Sequence, residues 1–192
     1  AEFMSIGKNG LIYVSEAGNH RISAFDASGN FKFSFGALGS GPGQMNRPEA
    51  VKPDSHGHLF IADFGNHRVQ KFTDDGKYLS TFGTPGTDPG QFRRPTGLAL
   101  DKFDNIYVND LGNNRVQVFA PDGRYITEFH GKAELSKWGR DKLASNPDMI
   151  RQRSLAFAND PGYEQGLAHP CAVKIDSQGR IVIIDHTRNR LQ

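Results

Sequence analysis

The chain has 192 residues, with 23 Lys plus Arg against 21 Asp plus Glu and one cysteine, enough for one ordinary domain with a buried core. A net charge of +2 carries no global signal for nucleic acid or an acidic membrane, so such a partner would need a local basic face. The lone Cys171 excludes an internal disulfide framework and a multi-cysteine zinc site, and no apolar run approaches the ~18 residues of a membrane span or forms a signal-peptide core near the start, so the default expectation is a cytoplasmic protein.

Ala1-Glu2-Phe3 ahead of Met4 reads as an appended leader, which puts the expected native start at Met4. The first unit, about 10–35, opens with "LIYVS" and runs through "EAGNHRISAF". The second, about 47–83, holds "AVKPD", "HLFIAD", "RVQKF" and "YLSTF"; the third, about 94–130, holds "GLALD", "NIYVND", "RVQVF" and "YITEF". These short β-branched and aromatic runs, separated by Gly, Asp, Asn and Pro, predict four antiparallel strands per unit joined by tight turns. Residues 131–165 break the pattern. There "KAELSKWGRDKLA" brings Leu135, Trp138 and Leu143 within helical reach, and "DMIRQRSLAFA" predicts a second short helix begun at Asn146 or Pro147. The last unit, about 169–192, supplies "AVKID" and "IVIID" and stops in a third strand, "NRLQ".

One segment is written three times, as "EAGNHRISAF", "DFGNHRVQKF" and "DLGNNRVQVF", with a weaker copy, "DHTRNRLQ", at the end. Its arginines, Arg21, Arg68, Arg115 and Arg190, are spaced by 47, 47 and 75 residues. A four-stranded unit of this length cannot bury both of its faces alone, and radial stacking of such sheets is the solution that all-β proteins use. The expected fold is therefore all-β, a β-propeller. "GPGQMNRPEAV" and "DPGQFRRPTGLALD", each followed by a Gly-Asn-His-Arg or Gly-Asn-Asn-Arg segment, resemble NHL repeats over nearly the whole of 4–192 except the insertion. The first unit lacks an inner strand in this reading and the last lacks an outer one, giving about three and a half blades. Open sheet edges invite pairing with another chain, so the chain is expected either to be completed by a second copy, a homodimer whose strands sum to seven blades, or to be a partial ring cut from a longer propeller such as a six-bladed one.

In an up-and-down blade the loop between strands two and three shares a face with the loop linking blades. That face collects the Asn-His/Asn-Arg turns, the insertion, and Arg47-Pro48, Arg94-Pro95 and His169-Pro170; Asp- and Gly-rich hairpins take the opposite face. A residue repeated in every blade is best explained by what every blade needs. Glu16, Asp63 and Asp110 are expected to accept from turn N–H groups, each Asn of the motif to take a left-handed backbone, and Arg21, Arg68, Arg115 and Arg190 each to pair with an acid of its own or a neighbouring blade; Asp185 is the acid of the last copy. The candidate ligand-binding residues on the same face are Arg47, Arg94, His20, His67, His169 and Trp138, whose charge favours a protein or a small anionic ligand. Single-stranded RNA is less favoured, because Phe25, Phe72 and Phe119 read as core and leave no stacking platform.

No nucleophile elbow, phosphate-binding glycine loop or His-Glu-x-x-His pair occurs, and no catalytic residue is assigned. The resemblance to NHL propellers also admits lyases and lactonase-like enzymes with a divalent metal in the channel; the ligands would come from His20, His67, His169, Asp63, Asp110 and Asp185. Asp54, Asp101 and Asp176 are expected to serve turns instead, and Cys171 to be a small buried residue. The reading is a non-catalytic binding or protein-interaction scaffold without a resident cofactor.

Overall fold

The structure is a computed structural model and describes residues 3–131, 151, 167–185 and 190–191. The two helices expected in the insertion, with Trp138, lie outside these residues. Four antiparallel sheets follow one another along the chain. The first is β1 (Met4–Ile6), β2 (Ile12–Glu16), β3 (Arg21–Phe25) and β4 (Phe31–Phe35). The second is β5 (Pro48–Pro53), β6 (Leu59–Asp63), β7 (Arg68–Phe72) and β8 (Tyr78–Phe82). A parallel pair of two-residue strands, β9 (Thr84–Pro85) and β10 (Gln91–Phe92), closes the next linker. The third sheet is β11 (Pro95–Leu100), β12 (Ile106–Asp110), β13 (Arg115–Phe119) and β14 (Tyr125–Phe129). The fourth has three described strands, β15 (Pro170–Ile175), β16 (Ile181–Asp185) and β17 (Arg190–Leu191).

These sheets are propeller blades. Their first strands pack side by side, β1 on β5, β5 on β11 and β11 on β15, so the first strand of each blade is innermost. The first blade is fuller than its sequence indicates: Met4, Ser5 and Ile6 pair with Val14, Tyr13 and Ile12 and form an inner strand too short for its alternation to register. Phe3, read as leader, extends this ladder through Ser15 N–H to its carbonyl at 3.0 Å and packs partly buried against the core.

Burial follows from the stacking of blades. Tyr13, Ile22, Met45, Val51, Leu59, Ile61 and Phe72 fill the space between blades one and two. Phe60, Val69, Phe92, Leu98, Ile106, Val108 and Phe119 fill the next, and Val116, Leu167, Val173 and Ile183 the last. Phe72, Val108 and Phe119 are thus core as expected, each no more than 1% exposed. Phe25, at the same repeat position in blade one, is only half-buried, because no described blade precedes it. Cys171 is likewise half-buried rather than enclosed, its Sγ 3.7 Å from the Ile184 carbonyl.

Candidate functional site

The repeated motif ties each blade to the linker that precedes it. In blade two the Asp63 carboxylate, fully buried, accepts from Arg68 Nε at 2.8 Å, Asn66 Nδ2 at 2.9 Å, Gln70 Nε2 at 3.1 Å and the Asn46 N–H at 2.7 Å. The far edge of the Arg68 guanidinium donates to the carbonyls of Ser40, Gly41 and Gln44 at 2.8–2.9 Å. Blade three repeats the arrangement: Asp110 accepts from Arg115, Asn113, Gln117 and the Arg93 N–H at 2.7–3.0 Å. Arg115 donates to the Asp88 and Gln91 carbonyls at 2.9 Å and to Glu128 at 2.9 Å. Each acid therefore serves its own side chains and the preceding linker, rather than the N–H groups of its own turn. In blade four Asp185 accepts from the Ala168 N–H at 3.1 Å; β17 pairs Arg190 with Asp185 through the backbone.

Blade one has no described linker before it. Glu16 accepts from Asn19 at 2.6 Å, Arg21 at 3.1 Å and Ser23. The hydrogen bonds from Ser23 and Asn19, ahead of the Arg21 contribution, hold its carboxyl at about 2. Arg21 keeps 42% of its side chain in solvent, against 13% for Arg68 and 4% for Arg115.

The left-handed residue of the motif is not the Asn but its successor. His20, His67 and Asn114 have φ of 56°, 56° and 54°. This conformation is uncommon for residues other than Gly, with Asn, Asp and His the most frequent exceptions. It carries the side chain to the next blade: His20 Nδ1 accepts from the Arg47 N–H at 3.1 Å, His67 Nδ1 from the Arg94 N–H at 3.0 Å, and Asn114 Oδ1 from the His169 N–H at 2.9 Å. The receiving residues are themselves left-handed, at 56°, 62° and 55°. With Nδ1 accepting, each imidazole is the neutral Nε2–H tautomer. His20 and His67, named from sequence as ligand-binding candidates, thus each bridge to the next blade through Nδ1. Gly65 is fixed by the same packing, since a Cβ there would lie 2.8 Å from the Asn46 carbonyl oxygen.

Arg47, Arg94 and His169 remain exposed on this face. Arg47 and Arg94 converge on one ring, Phe64, with guanidinium carbons 5.3 and 5.9 Å from its centroid; His169 belongs to the next blade junction. Arg47 also lies 3.6 Å from Glu49, while no ion pair is formed by Arg94 among the described residues. Phe64 was missed in sequence because the corresponding turn residues are Ala17 and Leu111; a lone aromatic in a turn was the available signal. It also removes the argument that this face lacks an aromatic platform. At the junction of blades three and four the Leu167 N–H donates to the His130 carbonyl at 2.6 Å.

The opposite face is built of hairpins. Asp54 accepts from the N–H groups of His56 and His58 at 2.8 Å and faces His58 Nδ1 at 2.9 Å. Burial opposes its charge, yet these bonds hold its carboxyl below the ordinary value. Asp101 and Asp176 serve their turns in the same way. Among the described residues no three His, Cys, Asp or Glu side chains form a group that could hold a metal ion: Asp63 and Asp110 are engaged with their arginines and His20 and His67 with backbone. No described helix is long and apolar enough to cross a membrane.

The NHL repeat family matches residues 45–72 and 92–119, each span running from a linker through the third strand of its blade. No curated protein matches the chain. Among solved structures, streptogramin B lyase is 14% identical with a TM-score of 0.63, over 98% of this chain and 52% of that one. The WD40 repeats of RRP9 are 12% identical with a TM-score of 0.58, over 98% and 49%. The structure of the nidogen/laminin complex contains a chain 16% identical with a TM-score of 0.62, over 95% and 54%. The chain spans about half the length of these proteins. At such identities the likeness establishes the fold alone.

Proposed function

From the premise that this chain belongs to the NHL-repeat β-propellers, we propose that it is a binding scaffold which takes an acidic protein segment on the motif face. The observation that carries this reading is the pair Arg47 and Arg94 set over Phe64. The motif's own polar groups are committed to holding blades together, whereas Arg94 forms no ion pair among the described residues and Arg47 has only the 3.6 Å approach to Glu49. A guanidinium held over a ring presents its N–H edge to carboxylates, as Arg47 already does toward Glu49, and Arg with an aromatic anchor is the composition of interface hot spots. A fluorescent glutamate-rich peptide is expected to bind the wild-type chain, with at least ten-fold weaker binding to Arg94→Ala and Phe64→Ala at unchanged thermal stability. Anisotropy titration reads this out. Wild-type binding retained by both variants would overturn the proposal, and a single-stranded oligoribonucleotide binding more tightly than the peptide would assign the face to RNA.

The open ends of the arc take a second copy in the same reading. Met4 and Ile6 are 69% and 70% exposed, and Ile12, Val14 and Phe25 are half-buried. Their repeat equivalents in blade two, Leu59, Ile61 and Phe72, are 0–1% exposed because a blade precedes them. At the other end Ile184 is 43% exposed on the face of blade four that turns away from blade three. One end thus presents the face that follows a blade and the other the face that precedes one, which is the complementarity needed for heterologous closure. With a nearly complete first sheet, two copies supply eight sheets rather than seven, still within the range in which propellers close. Light scattering across concentrations should give a two-chain species that Phe25→Arg dissociates; a monomer throughout would contradict it.

A further inference from the structure

Blade two carries a histidine pair that no other blade repeats, on the face opposite the motif and independent of the reading above. His56 and His58 sit in the turn between β5 and β6, where the corresponding residues are Asn9 and Leu11 in blade one, Phe103 and Asn105 in blade three, and Gln178 and Arg180 in blade four. What every blade needs therefore does not explain them. The N–H groups of both residues donate to Asp54 Oδ1 at 2.8 Å, which fixes the turn, and the two imidazole rings stack with centroids 6.4 Å apart.

Each ring has its Nδ1 against a carboxylate. His58 Nδ1 lies 2.9 Å from Asp54 Oδ2, and His56 Nδ1 lies 3.3 Å from Asp104 Oδ2 and 3.1 Å from Ser55 Oγ. Asp54 and Asp104 are 5% and 7% exposed, so these anchors are built into the fold. Asp104 reaches across from blade three and also accepts from the Ser55 N–H at 2.9 Å and from the Ser55 hydroxyl. It does so from a left-handed backbone, φ 61°, at a position held by Gly10, Gly57 and Gly179 in the other blades, so a carboxylate stands where glycine is the easier residue. With Nδ1 donating, both imidazoles carry their lone pair on Nε2, which no described residue meets. His20 and His67 are the opposite tautomer and offer none there.

We propose that His56 and His58 bind one late divalent transition-metal ion, Cu2+ foremost, through their Nε2 atoms, with water in the remaining positions. An imidazole whose other nitrogen donates to a carboxylate is the usual arrangement of a metal ligand, since the carboxylate fixes the ring and raises its basicity. With metal–nitrogen bonds of about 2 Å, both Nε2 atoms meet one ion once the His56 ring, its side chain 73% exposed, pivots on its anchor. Nitrogen donors select copper, nickel or zinc over calcium and magnesium, and copper stands highest in the affinity order. Lys71, 3.7 Å from Asp54, and Lys8, on the Ser55 carbonyl, offset the two carboxylates, which disfavours a hard ion that relies on carboxylate charge.

The test titrates the full chain with Cu2+ in a non-coordinating buffer, reading stoichiometry by calorimetry and ligation by electron paramagnetic resonance. One ion per chain is expected, with hyperfine structure from two imidazole nitrogens. His58→Asn and His56→Asn install residues that blades three and one already use at these positions, which spares the fold. Each should weaken binding at least ten-fold and leave a single nitrogen signal. Asp104→Asn, which loosens the hold on His56, should cost about ten-fold, and His130→Gln should bind as the wild type does. No binding, fewer than two nitrogens on the wild-type ion, affinity undiminished in either His56→Asn or His58→Asn, or an equal loss in His130→Gln would overturn the proposal.

Discussion

Asp110→Ala is expected to lower stability by about 3–5 kcal/mol, because it strips the inner carboxylate from an arginine that is almost wholly enclosed. Asp110 is fully buried and the Arg115 side chain 4% exposed. The substitution also leaves the Arg93 N–H without its acceptor and takes one of two acceptors from Asn113 and Gln117, which keep the Gly86 and Gln91 carbonyls. Some compensation remains, since Arg115 keeps Glu128 and two carbonyls. In a chain of this size the loss corresponds to a fall in Tm on the order of 10 °C, measurable by calorimetry. Glu16→Ala is the internal control. It removes the same repeat position where the arginine is 42% exposed, so its cost should stay near 1 kcal/mol or below. Equal losses in the two variants would mean that burial does not set the value of this pair.

Phe119→Ala should cost about 3–5 kcal/mol through lost burial and the cavity left behind. Its ring lies 4.8 Å from Phe82, 5.3 Å from Phe92 and 5.9 Å from Tyr125, in tilted and edge-to-face arrangements. These rings belong to the outer strands and to β10, while Phe60 and Ala62 reach the same cluster from blade two. The cavity would open where two blades and a linker meet, leaving little freedom to collapse. Denaturant unfolding should show the midpoint falling with little change in slope. An unchanged midpoint would contradict the placement of Phe119 at the blade junction.

The architecture was legible because the repeats wrote it several times over. Alternating runs at equal spacing fixed strands, blade stacking and the sharing of one face by turns and linkers. Phe72 and Phe119 could be placed as core from position alone. Three things were not legible. β1 is three residues long, too short to show a period of two, so its pairing is visible only once Tyr13 and Val14 are seen beside it. The left-handed residue is His20 or His67 rather than Asn19 or Asn66, a shift of one position that propensity misassigns because a tertiary bond to the next blade decides it. The convergence of Arg47 and Arg94 on Phe64 joins residues from three segments, and no spacing along the chain encodes it.

The division of the motif face into residues that hold the blades and residues left for a partner is most directly tested by comparing Arg68→Ala with Arg94→Ala in thermal unfolding and in titration with the glutamate-rich peptide. Arg68 donates to three linker carbonyls and Asp63, whereas Arg94 lies over Phe64 in solvent. The account predicts that Arg68→Ala loses several degrees of Tm and, where still folded, keeps peptide affinity, and that Arg94→Ala keeps its Tm and loses affinity. The reverse pattern, with Arg68→Ala fully stable but unable to bind and Arg94→Ala destabilised, would contradict it.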